Sequence, residues 1–388
     1  MDNPTLLKSS SLRGAFAASI TMSFAGLGDA LLYPILPVYG KNLGFSVIAI
    51  GMLLSINRFV RILANTYIAN LVRRMGAKKI LLATSLLASI TTYLYGIEWG
   101  FLLFFIARIL WGLCYSGLKI ATLDIASKSG KHTGLAFGLS QGIKNLGPLL
   151  VLWLGPLLIE TFDTSLSFTL VAITSSLGVL FALTIPTNTA TTAIKKQTVV
   201  TSKATFRCTP VNLLVFMLAI SVDGVLVVTL AQLFQTNTTN SIDLLSTIAL
   251  YLLFKKIGTI VFSIVGGYIS LHFSATHLFY YAAIGCILGL IFIGLGYLTT
   301  GILLSFVLNP VVVSFGPVMA IKTTGNALQA ISSTSTWWDL GAALGALLGI
   351  YLLNHLGIPL LYVSLGVLSG IVFLNFHRHY ATTSSSTL

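Results

Sequence analysis

Residues 45–79 read FSVIAIGMLLSINRFVRILANTYIANLVRRMGAKK, and the placing of their charges decides the architecture. The apolar run 45–71 is long enough to cross the ~30 Å of bilayer hydrocarbon as a helix. Yet Arg58 and Arg61 fall inside it. A cation at mid-bilayer costs about 2.5–3.5 kcal/mol on the mildest scale, and is kept where it faces a bundle interior or a watery cavity. The run then ends in Arg73, Arg74, Lys78 and Lys79, the kind of basic cluster that stays on the cytoplasmic side. Further bases sit inside apolar stretches elsewhere: Arg108, Lys119, Lys144, Lys255 and Lys256. Together they point to a polar pathway through a membrane.

Composition agrees. Hydrophobic residues make up 56% of the 388, charged residues only 8%, and mean hydropathy is +0.94. No soluble domain of this size reads so. The net charge of +13 does not signal nucleic acid, because the bases gather at the ends of apolar runs rather than on a soluble face. Three scattered cysteines, Cys114, Cys208 and Cys286, form neither a disulfide framework nor a metal site. Gly138–Gly142 fits G-x-S-x-G, but it lies within an apolar helix and lacks the strand–turn–helix elbow that motif needs. No phosphate-cradling loop occurs, so no enzyme activity, cofactor or ATP use is expected.

Hydropathy divides the chain into twelve spans, near 14–39, 45–71, 79–97, 100–125, 133–158, 165–185, 210–235, 244–271, 278–297, 301–321, 327–354 and 358–377. The first follows Lys8 and Arg13 as a signal peptide would, but it is too long, carries Asp29 and reads as retained. The expected fold is all-α: a polytopic membrane protein of twelve transmembrane helices. A Thr-rich stretch with four bases, 186–208, separates bundles at 1–185 and 209–388. Fourteen of the 22 Lys and Arg fall on the side of the N-terminus and only Lys41 on the other, which places both termini and the linker in the cytoplasm. Asn237-Thr-Thr is then a glycosylation sequon on an outer loop. The halves read as weak repeats: Gly28-Asp29 with Val222-Asp223, Ile56-Asn57-Arg58 with Phe254-Lys255-Lys256, and Gly134, Gly138, Gly142 with Gly341, Gly345, Gly349. Such parallel repeats suit a class of secondary transporter.

The connection Ala69-Asn70-Leu71-Val72-Arg73-Arg74-Met75-Gly76-Ala77-Lys78-Lys79 resembles the loop motif G-x-L-x-D-R-x-G-R-R/K of the major facilitator superfamily. Arg73 stands where that family carries an Asp that helps latch the cytoplasmic gate. Arg108-Ile-Leu-Trp-Gly112 resembles its fourth-helix R-x-x-x-G motif, and Gly147-Pro148 part of the fifth-helix motif of antiporters. The run Gly28–Pro34 with Gly147-Pro148 resembles the drug:proton antiporter branch, which implies export. The resemblance covers essentially the whole chain. It implies two pseudo-symmetric six-helix bundles around a central cavity that opens alternately to each side. Its peripheral helices would be spans 3, 6, 9 and 12, which carry no Asp, Glu, Lys or Arg between their ends.

Helical spacing groups the cavity candidates. Arg58, Arg61 and Asn65 share a face of span 2, and Lys256, Thr259, Ser263 and Gly267 a face of span 8. Lys255 lies about 100° from Lys256 and points elsewhere. Ser332, Ser335, Thr336 and Asp339 stripe span 11, and Ser140, Gln141 and Lys144 do so on span 5. Arg58, Arg61, Lys144, Lys255, Lys256 and Asp339 are candidate substrate ligands. Asp29, Asp223 and Asp339 are candidate proton carriers. Arg73, Arg74, Gly76, Lys78, Lys79, Arg108, Gly112, Gly147 and Pro148 are candidate gate and motif residues. Lys119 and Asp124 read as snorkelling or gate residues, and the glycine rows as packing seams. Seven bases against Asp29, Asp124, Asp223 and Asp339 leave a surplus of three, which an anionic solute would offset. The expectation is a proton-coupled exporter of a small carboxylate-bearing solute, functional as a monomer in the plasma (bacterial inner) membrane. A drug efflux pump for lipophilic compounds and a non-transporting sensor or scaffold are the alternatives.

Overall fold

The computed structural model describes residues 4–39, 45–97, 100–186, 199–235 and 241–385. Among these no strand occurs, and the helices make the twelve expected passes. Span 1 is Pro4–Ala25 with Leu27–Tyr39, span 2 Val47–Met75, span 3 Ala77–Tyr95 and span 4 Gly100–Ser127. Span 5 is Thr133–Ile143 with Leu146–Thr161, and span 6 is Thr164–Leu183. Span 7 joins Pro210–Leu218, a π-helical turn Ala219–Val225 and Leu226–Gln235. Span 8 is Ser241–Ile269, span 9 Ala275–Gly294 and span 10 Leu298–Thr324. Spans 11 and 12 form one run, Ala327–Ser385, bent at Gly357, whose φ of 71° only glycine takes without strain. Lys41, Glu98, Lys195, Lys196 and the Asn237 sequon lie outside the described residues.

Local chemistry sets the ends of the spans. Ser46, Asp163, Thr209 and Ser274 each accept a backbone N–H from the first turn of spans 2, 6, 7 and 9, and Pro210 opens span 7 where its missing N–H costs nothing. Gly76, at φ 87°, closes span 2. Among the described residues nine stretches are long and apolar enough to cross a membrane, the last of them, Ala327–Tyr380, holding two passes. Spans 2 and 3 fall outside that set. Span 2 is diluted by its arginines and asparagines, and span 3 by Thr84, Ser85, Ser89, Thr91 and Thr92. Both are carried by their neighbours. Ser89 donates to Ser175 of span 6 across 3.3 Å, and Gly117 of span 4 lies against Thr84 of span 3. Large side chains such as Leu63, Tyr67 and Trp153 point outward, as suits lipid contact, and the chain is an integral membrane protein.

The two bundles meet at the linker end. A Cβ on Gly138 would lie 2.4 Å from the Ser263 carbonyl oxygen and 2.6 Å from the Gly267 Cα, so spans 5 and 8 touch backbone to backbone there. Asn65 of span 2 donates to Thr336 of span 11 at 3.1 Å. The chain entering span 7 is tied across the same end. Asn70 donates to the Val200 carbonyl at 2.6 Å and accepts from the Val200 N–H at 3.1 Å, while Thr205 takes hydrogen bonds from Thr66 and from Ser333 of span 11. Arg73, in the position of the family acid, makes no hydrogen bond or ion pair among the described residues. Polar ties to Val200–Thr205 therefore hold this end together where the charged latch is missing.

The glycine rows prove to be packing seams, but not equivalent ones. Gly134, Gly138 and Gly142 face Ser270, Gly267 and Ile264 of span 8, across the bundle interface. Gly341, Gly345 and Gly349 face Phe216, Gly224 and Val225 of span 7, within the C-terminal bundle. The repeat match in sequence at these glycines is not a match in partner.

Candidate functional site

Between the closed end and the opposite ends of the spans lie two cavities, of about 340 and 370 Å³. They share a wall made of Met22, Arg58, Arg61, Tyr115, Lys144 and Asn145. Three helix irregularities sit at this level. Span 1 breaks at Gly26, where a Cβ would press on Pro148 at 3.3 Å. Span 5 breaks at Lys144-Asn145. The π-helical turn of span 7 carries Asp223, and such turns inside α-helices often mark functional sites.

The carboxylates are all engaged. Asp223 accepts from Lys255 at 2.7 Å and from Asn309 at 3.2 Å, and both members of the ion pair keep about 20% of their side chains exposed. Asp339 is 3.5 Å from Arg61 and 3.7 Å from Lys119 and is 6% exposed. Asp29 is paired with Arg108. Arg108 is wholly buried; its Nε donates to the Leu53 carbonyl at 2.7 Å and its guanidinium lies over Tyr95. Arg108 thus braces spans 1, 2, 3 and 4. Gly112, one turn on, lets span 4 close on span 2, since a Cβ would lie 2.9 Å from the Asn57 carbonyl oxygen.

Three cations are left over. Arg58 and Lys144 line both cavities and make no ion pair or hydrogen bond among the described residues. Lys256 lines the second cavity, and its ammonium donates to the Asn145 amide oxygen at 3.2 Å, a neutral partner. Its neighbour Lys255 lines the first cavity instead, as the angular offset required.

Most candidates therefore gather as their helix faces implied. Ser140, Gln141 and Lys144 all line the first cavity, as do Ser335 and Asp339. Lys119 and Asp124 read as snorkelling or gate residues, and only the snorkelling reading fails for Lys119, which turns inward to Asp339 of span 11 and lines the first cavity. Asp124 is bound at 2.5 Å by Lys128 one turn away and lines neither cavity. It drops out of the central balance, so seven cations face three carboxylates and the surplus is four. Asn145, Asn309 and Tyr115, which lies under the Arg61 guanidinium at 4.6 Å, were not singled out by spacing. Only an Asn beside Lys144 in an apolar run hinted at the first.

Of the motif residues, Pro148 lines the second cavity, and the others line neither. Gly147 donates its N–H to Ser23 at 2.7 Å, and with Pro148 it fits span 5 against the break in span 1. Lys78 caps span 6 by donating to the Leu183 carbonyl at 2.8 Å and to the Ile185 carbonyl. Arg74 is exposed at the closed end.

The fold has close relatives in shape among solved structures. The human organic anion transporter MFSD10 (TETRAN) superposes with a TM-score of 0.69 over 96% of this chain and 99% of its own, at 13% identity. The proton:xylose symporter XylE matches with 0.69 over 97% and 96%, at 13% identity. FucP in its outward conformation matches with 0.70 over 93% and 97%, at 12% identity. No curated protein matches the sequence. The sequence model of the Major Facilitator Superfamily matches residues 18–328. The chain belongs to the Major Facilitator Superfamily of membrane transporters.

Proposed function

We propose that this protein is a proton-coupled secondary transporter of a small organic anion, working as a monomer by rocking bundles 1–185 and 209–388 about the central cavity. The observation that carries the anion is the trio Arg58, Lys144 and Lys256, cavity-lining cations without a carboxylate partner among the described residues. A dry site holds such a surplus only at a cost, which an anionic solute would offset. The organic anion transporter among the structural neighbours is consistent with this, and the proton symporters show that the fold accommodates coupling. A pump for lipophilic cations or neutral drugs would need those bases locked in bridges and an aromatic cavity. Here Tyr115, Phe137 and Trp338 are the aromatic residues along the first cavity, among many polar ones.

Export is the proposed direction. An inside-negative potential drives an anion outward by about 2.3 kcal/mol per charge per 100 mV. Asp223 is the preferred proton carrier. Its partner is a flexible lysine at the cavity wall, whereas Asp29 is held by a buried arginine and Asp339 by two cations.

Proteoliposome flux tests the reading. Uptake of a radiolabelled organic anion should be inhibited by other anions and not by neutral sugars or lipophilic cations. Inhibition by lipophilic cations alone would replace it with the drug-efflux reading. Orientation has its own check, because Cys208 is exposed on the linker side while Cys114 and Cys286 are buried. In intact cells an impermeant maleimide should leave the wild type unlabelled and should label Ser241→Cys. Labelling of Cys208 from outside would reverse the topology.

A further inference from the structure

We infer that the transported solute is a dianion whose two negative charges are divided between the bundles, one answered by Arg58 and Lys144 and the other by Lys256. This rests on the anion reading above and narrows it. Arg58 on span 2 and Lys144 on span 5 belong to the N-terminal bundle, and Lys256 on span 8 to the C-terminal one. All three line the second cavity. The chain holds nine Asp and Glu in all, and the three that line the cavities are already paired with Arg108, Lys255, Arg61 and Lys119. None of those three lies within ion-pair distance of the trio. A single carboxylate could answer one side of the interface and would leave the other side's cation uncompensated as the cavity closes.

The geometry also links charge to closure. Lys256 already leans across the interface, with its ammonium on Asn145, the residue next to Lys144. Asn145 is steadied by donating its own amide to the Gln141 carbonyl at 2.8 Å. A second anionic group near Asn145 would replace a neutral acceptor with a charged one and draw span 8 onto span 5. That contact continues the seam of Gly138 on Gly267 and Gly142 on Ile260 toward the opposite ends of the spans. A solute with one negative charge supplies only one half of this bridge. A dicarboxylate and a phosphate group share the needed chemistry.

Binding to the purified full-length protein decides it. Succinate, glutarate and adipate are compared with butyrate, pentanoate and hexanoate, with inorganic phosphate as a separate arm and glucose as the neutral control. Either some dicarboxylate or phosphate should bind at least about tenfold tighter than every monocarboxylate, as an added charged contact implies. Which of the two wins separates a dicarboxylate from a phosphorylated solute. In Lys256→Gln the preference should collapse to about threefold or less, through weaker dianion binding, while Lys256→Arg should keep it. Equal binding of mono- and dianions by the wild type overturns the inference and leaves the anion reading standing. Equal binding of glucose and every anion overturns both. If Lys256→Gln does not fold, the wild-type comparison still decides.

Discussion

Arg58→Gln is expected to fold and insert like the wild type and to lose anion transport by about a hundredfold or more. The expectation follows from what Arg58 does not touch. It lines both cavities and has no carboxylate within ion-pair distance among the described residues, so its removal breaks no salt bridge. Stability should hold or rise, since an uncompensated cation leaves the membrane interior. Removing one partner of a buried charge contact costs a ligand about 2–5 kcal/mol. That is the range in which transport at fixed solute concentration is lost. Lys144→Gln should behave alike. Arg61→Gln is the contrast, because Asp339, 6% exposed, loses its nearer salt-bridge partner and keeps Lys119 at 3.7 Å, so the unfolding temperature should fall. Thermal unfolding in detergent and uptake in proteoliposomes give the two readings. Wild-type uptake by a well-folded Arg58→Gln would remove Arg58 from the solute site.

The parts of the fold that follow from hydropathy were open to reading from residues alone. Twelve apolar runs became twelve passes because a bilayer leaves few other ways to satisfy a backbone. The faces of spans 2, 5 and 11 followed from helical spacing, so Arg58, Lys144 and Asp339 came out in their places, while on span 8 Lys255 and Lys256 diverged as expected but Thr259, grouped with Lys256, lines the first cavity with Lys255. What escaped was set by tertiary contact. Nothing in the run around Lys119 says that it bends inward to Asp339 rather than outward to the headgroups, because its partner is more than two hundred residues away. Asp124 looked like a cavity charge until Lys128 was seen to take it. The breaks at Gly26 and at Lys144-Asn145 and the π-helical turn at Asp223 are invisible to hydropathy, which averages over the residues that matter most.

The resemblance between Asp29 and Asp223 also hides a difference, and mutating each should expose it. Asp29→Asn takes the carboxylate from Arg108, which is wholly buried, donates to the Leu53 carbonyl and lies over Tyr95. Removing one member of a buried pair costs about 3–5 kcal/mol, so this variant should lose much of its folded yield. Asp29→Leu combined with Arg108→Met should recover it, because an apolar pair in the same volume carries no orphan charge. Asp223→Asn should behave differently. Lys255 stays about 20% exposed at the cavity wall and lies 5.3 Å from the Phe306 ring, so water and the ring can hold it. The fold should survive with small loss, while accumulation of the anion against its gradient, driven by a pH difference, disappears. Exchange of solute at equal pH needs the binding site but no net proton movement, and should remain within a few-fold of the wild type. Thermal unfolding separates the two aspartates, and paired gradient and exchange assays locate the proton. Gradient-driven accumulation that persists in Asp223→Asn would move the coupling carboxylate to Asp339 or remove proton coupling from the mechanism.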